Sequence, residues 1–131
     1  MSPNILIVED NQDTREIMKH YFSNAEFTVL TAMDGGQGFE IAKAKHPDLI
    51  ITDLSMPNLS GVDMIKRLHA DSETATIPIL IFTAKGSGVA KDGLQAGALQ
   101  AFYKPLGFDD LVVTVKSLLE VPPSSLAATS D

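Results

Sequence analysis

The chain contains no cysteine. Structural disulfides and thiolate metal sites are therefore excluded, and nothing points to an oxidising compartment. It also lacks a long hydrophobic run: the longest apolar stretch, Ile77 to Phe82, is far too short to span a bilayer. A strand-like segment already begins at Asn4, which leaves no room for a signal peptide and sets the expectation of a soluble, cytoplasmic protein. Basic charge is scarce as well. Ten Lys and Arg against 17 Asp and Glu give a net charge of −7, which argues against a phosphate-backbone binder and so against direct nucleic-acid binding. No internal repeat is visible. What remains is ordinary globular composition, 44% hydrophobic and 21% charged over 131 residues, enough for one domain with its own core.

The stretch Leu49 to Gly61, LIITDLSMPNLSG, organises the rest. Four apolar or β-branched residues without polar alternation predict a strand covered on both faces, as in a parallel sheet. Asp53 then sits at the strand's carboxyl end, where open α/β sheets place their chemistry. Ser55, Pro57, Asn58, Ser60 and Gly61 follow as loop chemistry, and Pro57 prevents a helix from starting at once. A plainer reading makes Asp53 only the cap of the next helix.

Asn4 to Val8 is a second continuous apolar run, ending in Glu9-Asp10. Asn11, Gln12 and Asp13 offer N-caps for a helix marked by Ile17, Met18, Tyr21 and Phe22 and ending near Ser23. Phe27 to Thr31 predicts the second strand, Asp34-Gly35-Gly36 a turn, and Phe39, Ile41, Ala42 and Ala44 a helix closing before Pro47. A third helix is expected from Gly61 to Ala70 and a fourth strand from Pro78 to Phe82, with Thr83-Ala84 at its end. Lys85 to Ala96 should return the chain as a helix, although Gly86, Gly88 and Gly93 each cost about 1 kcal/mol there relative to alanine. Ala101 to Tyr103 predicts the fifth strand, and Leu111, Val112, Val115, Leu118 and Leu119 stripe a last helix from Asp109, its expected cap, to Glu120. Pro122-Pro123 stop it, and 122–131 reads as a flexible tail or linker stub. Five strands alternating with five helices imply a doubly wound, three-layer α/β/α fold with a parallel sheet and right-handed crossovers.

In such a fold the strand ends share one edge, which gathers Glu9, Asp10, Asp53, Thr83 and Lys104. Each residue alone has an ordinary role as a cap, a strand former or a surface charge. Together, three carboxylates repel one another and call for a cation. Oxygen ligands without His or Cys suit a hard ion, with Mg²⁺ expected and Mn²⁺ an alternative. A lysine and a hydroxyl facing that ion would stabilise a bound anion such as a phosphoryl group, leaving one carboxylate as nucleophile or general base.

These motifs resemble the receiver domain of two-component response regulators, over about residues 4 to 120. Glu9-Asp10 matches the acidic pair, Asp53 with Met56-Pro57 and Gly61 the phosphoacceptor loop, and Thr83-Ala84 and Lys104-Pro105 the remaining motifs. The resemblance implies the flavodoxin-like strand order 2-1-3-4-5, which the general rule for doubly wound sheets illustrates with a member of this family. It implies a receiver over residues 1–121, with Asp53 taking a phosphoryl group from the phosphohistidine of a sensor histidine kinase or a histidine phosphotransfer protein. Mg²⁺ would be held by Asp10, Asp53 and the Ser55 backbone carbonyl, with Glu9 acting through water. Thr83, Ala84 and Lys104 would contact phosphoryl oxygens, Ser55 and Lys85 would tune hydrolysis, and Lys104-Pro105 would be a cis bond. Pro57 and Gly61 would be structural.

Two departures from the family pattern stand out. Receivers usually carry an aromatic residue three positions before the Lys of Lys-Pro, and here that switch position is Ala101. The preceding segment is rich in glycine and about one residue shorter than in many relatives. Both lie on the surface through which receivers signal, by an output partner or by homodimerisation. The rival to a phosphorylatable switch is a pseudo-receiver that binds partners without phosphorylation. A separate enzyme using Asp53 as nucleophile, an aspartyl-phosphate hydrolase, would need general-acid residues and a cap domain for which the chain has no room. Stand-alone or phosphorelay use is the expectation.

Overall fold

The structure is a computed structural model that describes residues 3–54, 60–84, 89–104 and 107–119. Five strands alternate with five helices in chain order: β1 (Asn4–Val8), α1 (Gln12–Asn24), β2 (Thr28–Ala32), α2 (Gly35–Lys45), β3 (Leu49–Thr52), α3 (Gly61–Ala70), β4 (Ile79–Ala84), α4 (Val89–Ala96), β5 (Gln100–Lys104) and α5 (Phe108–Leu119). The strands form one parallel sheet in the order β2-β1-β3-β4-β5, as expected.

Strand alternation explains why the central strands read as unbroken apolar runs. Leu6, Val8, Ile50, Ile79 and Ile81 point to one face, where they meet Ala42 of α2, Met64, Ile65 and Leu68 of α3, and Ala90 of α4. Ile5, Ile7, Leu49, Ile51, Leu80 and Phe82 point to the other, against Met18 and Phe22 of α1 and Leu111 and Val115 of α5. Both faces are thus covered, three helices on one and two on the other, and each fully buried Leu or Ile contributes about 1.5–3 kcal/mol relative to exposure. At the sheet's edge Ala101 packs with the first cluster and Phe102 with the second.

Helices α3 and α4 each approach the reactive edge of the sheet at a glycine. A β-carbon on Gly93 of α4 would stand 2.5 Å from Ile81 Cδ1 and 3.3 Å from Leu54 Cδ1. One on Gly61, the first residue of α3, would collide with the main-chain oxygen of Asp53 and lie 2.7 Å from Leu54 Cα. Gly93 is therefore the contact point of α4 rather than only a weakness in it. On the outside, Lys43 Nζ pairs with Asp71 Oδ2 at 2.9 Å, tying α2 to the end of α3. Lys43 and Arg67 both approach the Phe39 ring, each 5.9 Å from its centroid.

Several element boundaries differ from expectation. Asp34 is an N-cap, its Oδ1 accepting from Gln37 N at 2.8 Å, so Gly35 and Gly36 belong to α2 and not to a turn. Gln37 Oε1 in turn accepts from Met33 N at 2.7 Å. β2 begins at Thr28 because Glu26, at φ 73°, and Phe27 complete the turn after α1. Asp109 lies inside the first turn of α5 rather than capping it: Leu111 N donates to Gly107 O, so the helix starts at Phe108. β4 runs through Thr83 to Ala84, and β5 is one residue longer at each end.

Candidate functional site

The carboxyl ends of β1 and β3 lie side by side, with Val8 opposite Thr52. Asp53 N donates to Val8 O at 3.1 Å, which sets Asp53 beside the residues that follow β1. Glu9 N donates to Ala32 O at 3.0 Å, so Glu9 is held between the ends of β2 and β3. Its side chain is buried, 3% exposed, with Oε2 accepting from Asn11 N at 3.2 Å. Asp10 follows on the surface. Asn11 caps α1, its Oδ1 accepting from Thr14 N at 2.9 Å.

Asp53 is half-buried, and its Oδ1 accepts from Leu54 N at 2.6 Å and from Thr83 Oγ1 at 2.9 Å. Thr83 is itself 1% exposed, so its hydroxyl is aimed at the carboxylate and not at water. Thr52 Oγ1 donates to Asp53 O at 2.6 Å. Thr83 pairs with Tyr103 and Ala84 with Lys104, so Lys104 is carried to the same edge. The Lys104 side chain, Ser55, Pro57, Lys85 and Pro105 lie outside the described residues.

One carboxylate oxygen each from Glu9, Asp10 and Asp53 lies within 4.8 Å of the others. Oxygens sharing one octahedral Mg²⁺ stand roughly 2.9–4.2 Å apart, given Mg–O distances of about 2.0–2.1 Å. The donor set therefore fits a small, hard divalent cation completed by water, and offers no nitrogen or sulfur to favour a softer metal. Gly61 serves the same edge from behind: its N donates to Leu54 O at 3.2 Å, and its missing side chain lets the start of α3 sit on the Asp53 main chain.

Of the residues expected at the site, Glu9, Asp10, Asp53 and Thr83 are brought together, and the β5 backbone brings Lys104 beside them. Three neighbours were not anticipated. Thr52 and Leu54 hold Asp53 from either side along the chain, and Arg15 Nη1 donates to Glu9 O at 2.9 Å. The signal for Arg15 was its place one turn into α1, from which a long side chain reaches back to the strand end.

Residues 5–116 match the family described as the response regulator receiver domain. Over 118 residues, 89% of this chain, the sequence is 38% identical to hybrid signal transduction histidine kinase D of Dictyostelium discoideum, covering 8% of that protein. It is 34% identical over 118 residues to the DNA-binding dual master transcriptional regulator RpaA of Synechocystis sp., covering 89% of this chain and 49% of that protein. The chain thus spans less than half the length of both relatives. The receiver domain of sensor histidine kinase PA1611 from Pseudomonas aeruginosa, solved with a magnesium ion coordinated in its active site cleft, superposes with a TM-score of 0.83. That comparison covers 89% of this chain and 97% of the other, at 25% identity.

Proposed function

This chain belongs to the response regulator receiver domain family, and from that premise we propose that it is a phosphorylatable switch with Asp53 as phosphoacceptor. The observation that carries the reading is the carboxylate of Asp53, fixed by Leu54 N and Thr83 Oγ1 within a cluster of three acids. A carboxylate oxygen of Asp53 attacks the phosphorus of a phosphohistidine in line. The P–O bond forms, the P–N bond breaks, and the imidazole nitrogen leaves with the electron pair. The Thr83 hydroxyl, already on Asp53, turns to a phosphoryl oxygen, and Lys104 and the Ala84 amide take others, spreading the transferred charge. Water later attacks the acyl phosphate and restores the carboxylate, with Ser55 and Lys85 flanking its path.

Asp10, Asp53 and the Ser55 carbonyl would hold Mg²⁺, with Glu9 acting through water. Bound there, the ion supplies charge neutralisation for the incoming phosphoryl group. The magnesium in the solved receiver of PA1611 supports this assignment. The donor is a sensor histidine kinase or a phosphotransfer protein, in keeping with the likeness to a hybrid kinase. The domain occupies residues 1–121, followed by a tail, and works in the cytoplasm. No helix among the described residues is long and apolar enough to cross a membrane. It turns over no substrate besides its own phosphoryl group, so it acts as a switch and not as an enzyme. With alanine at position 101, output runs through rearrangement of the segment from Lys85 to Ala96 instead of an aromatic rotamer.

Acetyl phosphate with Mg²⁺ tests the reading. Intact mass should rise by one phosphoryl group, and the gain should vanish with EDTA or in Asp53→Asn. Undiminished labelling of Asp53→Asn refutes the assignment, and no labelling of the wild type by either acetyl phosphate or a phosphohistidine donor leaves the binding-module alternative.

A further inference from the structure

Asp10 is the least supported member of the acid cluster. It is exposed, and among the described residues its carboxylate accepts no hydrogen bond and joins no ion pair. Glu9, by contrast, is fixed at its nitrogen by Ala32 O and at its side chain by Asn11 N. What fixes Asp10 is the peptide unit that joins it to Glu9. That unit is planar, so holding its carbonyl oxygen orients the amide and Cα of the next residue. The group holding the oxygen is the guanidinium of Arg15, donating from Nη1 at 2.9 Å. Arg15 is half-buried, and the one salt bridge among the described residues is Lys43 with Asp71, so the guanidinium spends its charge on that carbonyl and not on a carboxylate. Its own backbone is anchored too, with Arg15 N donating to Asn11 O at 2.9 Å.

We propose that Arg15 is a positioning residue for the divalent cation: it clamps the Glu9–Asp10 peptide and so presets the Asp10 carboxylate toward Glu9 and Asp53. The proposal rests on the reading of this cluster as a cation site. A charge-assisted bond to a carbonyl is stronger than a neutral one, and groups that orient metal ligands from behind typically contribute 10–100-fold in metal affinity. Opposing it is the bare charge of Arg15, which competes with any cation nearby. The two roles predict changes of opposite sign when the guanidinium is removed.

The test is Mg²⁺ titration by calorimetry on the full chain as wild type, Arg15→Met and Arg15→Lys. Methionine keeps much of the apolar stem and removes all donors. Arg15→Met should bind Mg²⁺ about tenfold or more weakly, with little change in the cation-free unfolding midpoint. Arg15→Lys, which keeps the charge on a single donor nitrogen over a shorter reach, should fall in between. Wild-type or tighter binding by Arg15→Met overturns the clamp. Should Arg15→Met fail to fold, nitrogen-15 spectra of the wild type without cation decide. Slowed rotation of the Arg15 guanidinium supports the clamp, and free rotation overturns it. Absence of Mg²⁺ binding by the wild type would instead refute the cation site itself.

Discussion

Gly61→Ala is a sharp test of how Asp53 is held. Alanine is the better helix former by about 1 kcal/mol in a helix interior, so propensity alone predicts that the substitution stabilises α3. Packing predicts the reverse. The added carbon would overlap the Asp53 main-chain oxygen and stand 2.7 Å from Leu54 Cα and 2.9 Å from Leu54 Cδ2. Carbon atoms settle at about 3.5–4.0 Å, so the start of α3 must withdraw by roughly 1 Å. The two nearest obstacles, Asp53 O and Leu54 Cα, are backbone atoms and cannot rotate aside. Asp53 N is bonded to Val8 O, and Leu54 N to Asp53 Oδ1. Overpacking of this kind costs about 1–3 kcal/mol or more, so the net loss should be about 2 kcal/mol. With a urea slope of about 2 kcal/mol/M, the unfolding midpoint should fall by about 1 M. Gly36→Ala is the matched control. Its nearest obstacle is Asp34 Oδ1 at 3.4 Å, an ordinary contact, so it should stabilise by about 0.5–1 kcal/mol. The reasoning is refuted if Gly61→Ala is neutral or stabilising, or if both variants move the midpoint the same way. Phosphorylation by acetyl phosphate should slow in Gly61→Ala alone.

The remaining predictions concern the switch and its surface. Lys104→Ala should bind Mg²⁺ as well as or better than wild type, because a competing cation is gone, while phosphoryl transfer or signalling fails; weaker binding with intact transfer contradicts the role assigned to Lys104. Lys43 and the Glu73 amide hold the Asp71 carboxyl below its ordinary 3.8. Its stabilising effect is therefore complete above that value and is lost as pH falls through the lowered one. Asp71→Asn should flatten the acid limb of the stability–pH curve below about pH 4, measured by urea unfolding at low salt, and an unchanged limb argues against the pairing. In hydrogen exchange, a beryllofluoride phosphoryl mimic should change protection across Lys85 to Ala96. A response confined to α1 or the Asp53 loop would place the output face elsewhere.

The sheet was legible because its three central strands are buried on both faces, which gives them the unbroken apolar runs Ile5–Val8, Leu49–Ile51 and Ile79–Phe82. Edges and caps were harder. β2 was misplaced by one residue because Phe27 is apolar yet packs onto α1, its ring 5.5 Å from that of Phe22, before the strand begins. Gly35-Gly36 looked like a turn, although Asp34 and Gln37, three residues apart, carry the signature of a helix start. At the site, Glu9, Asp10, Asp53 and Thr83 could be read from strand ends. Leu54 could not, since its role depends on a main-chain amide, to which sequence patterns are blind; Arg15 was signalled only by its place one turn into α1, and its partner is a main-chain carbonyl.

Leu54 joins features described separately above. It follows Asp53 directly, and the β-carbons that Gly61 and Gly93 lack would stand 2.7 Å and 3.3 Å from it. The inner seams of α3 and α4 are thus set by hydrogen atoms, and a methyl group there must displace backbone at α3 and side-chain ends at α4. Their outer faces carry Asp63, Lys66, Arg67, Lys91, Asp92, Leu94 and Gln95, all exposed. Mutational freedom is accordingly split by depth. A lineage, or an engineer, can rewrite the outward residues and so change what these helices meet while the reactive edge stays as it is. One carbon added on the inward side alters chemistry and surface together.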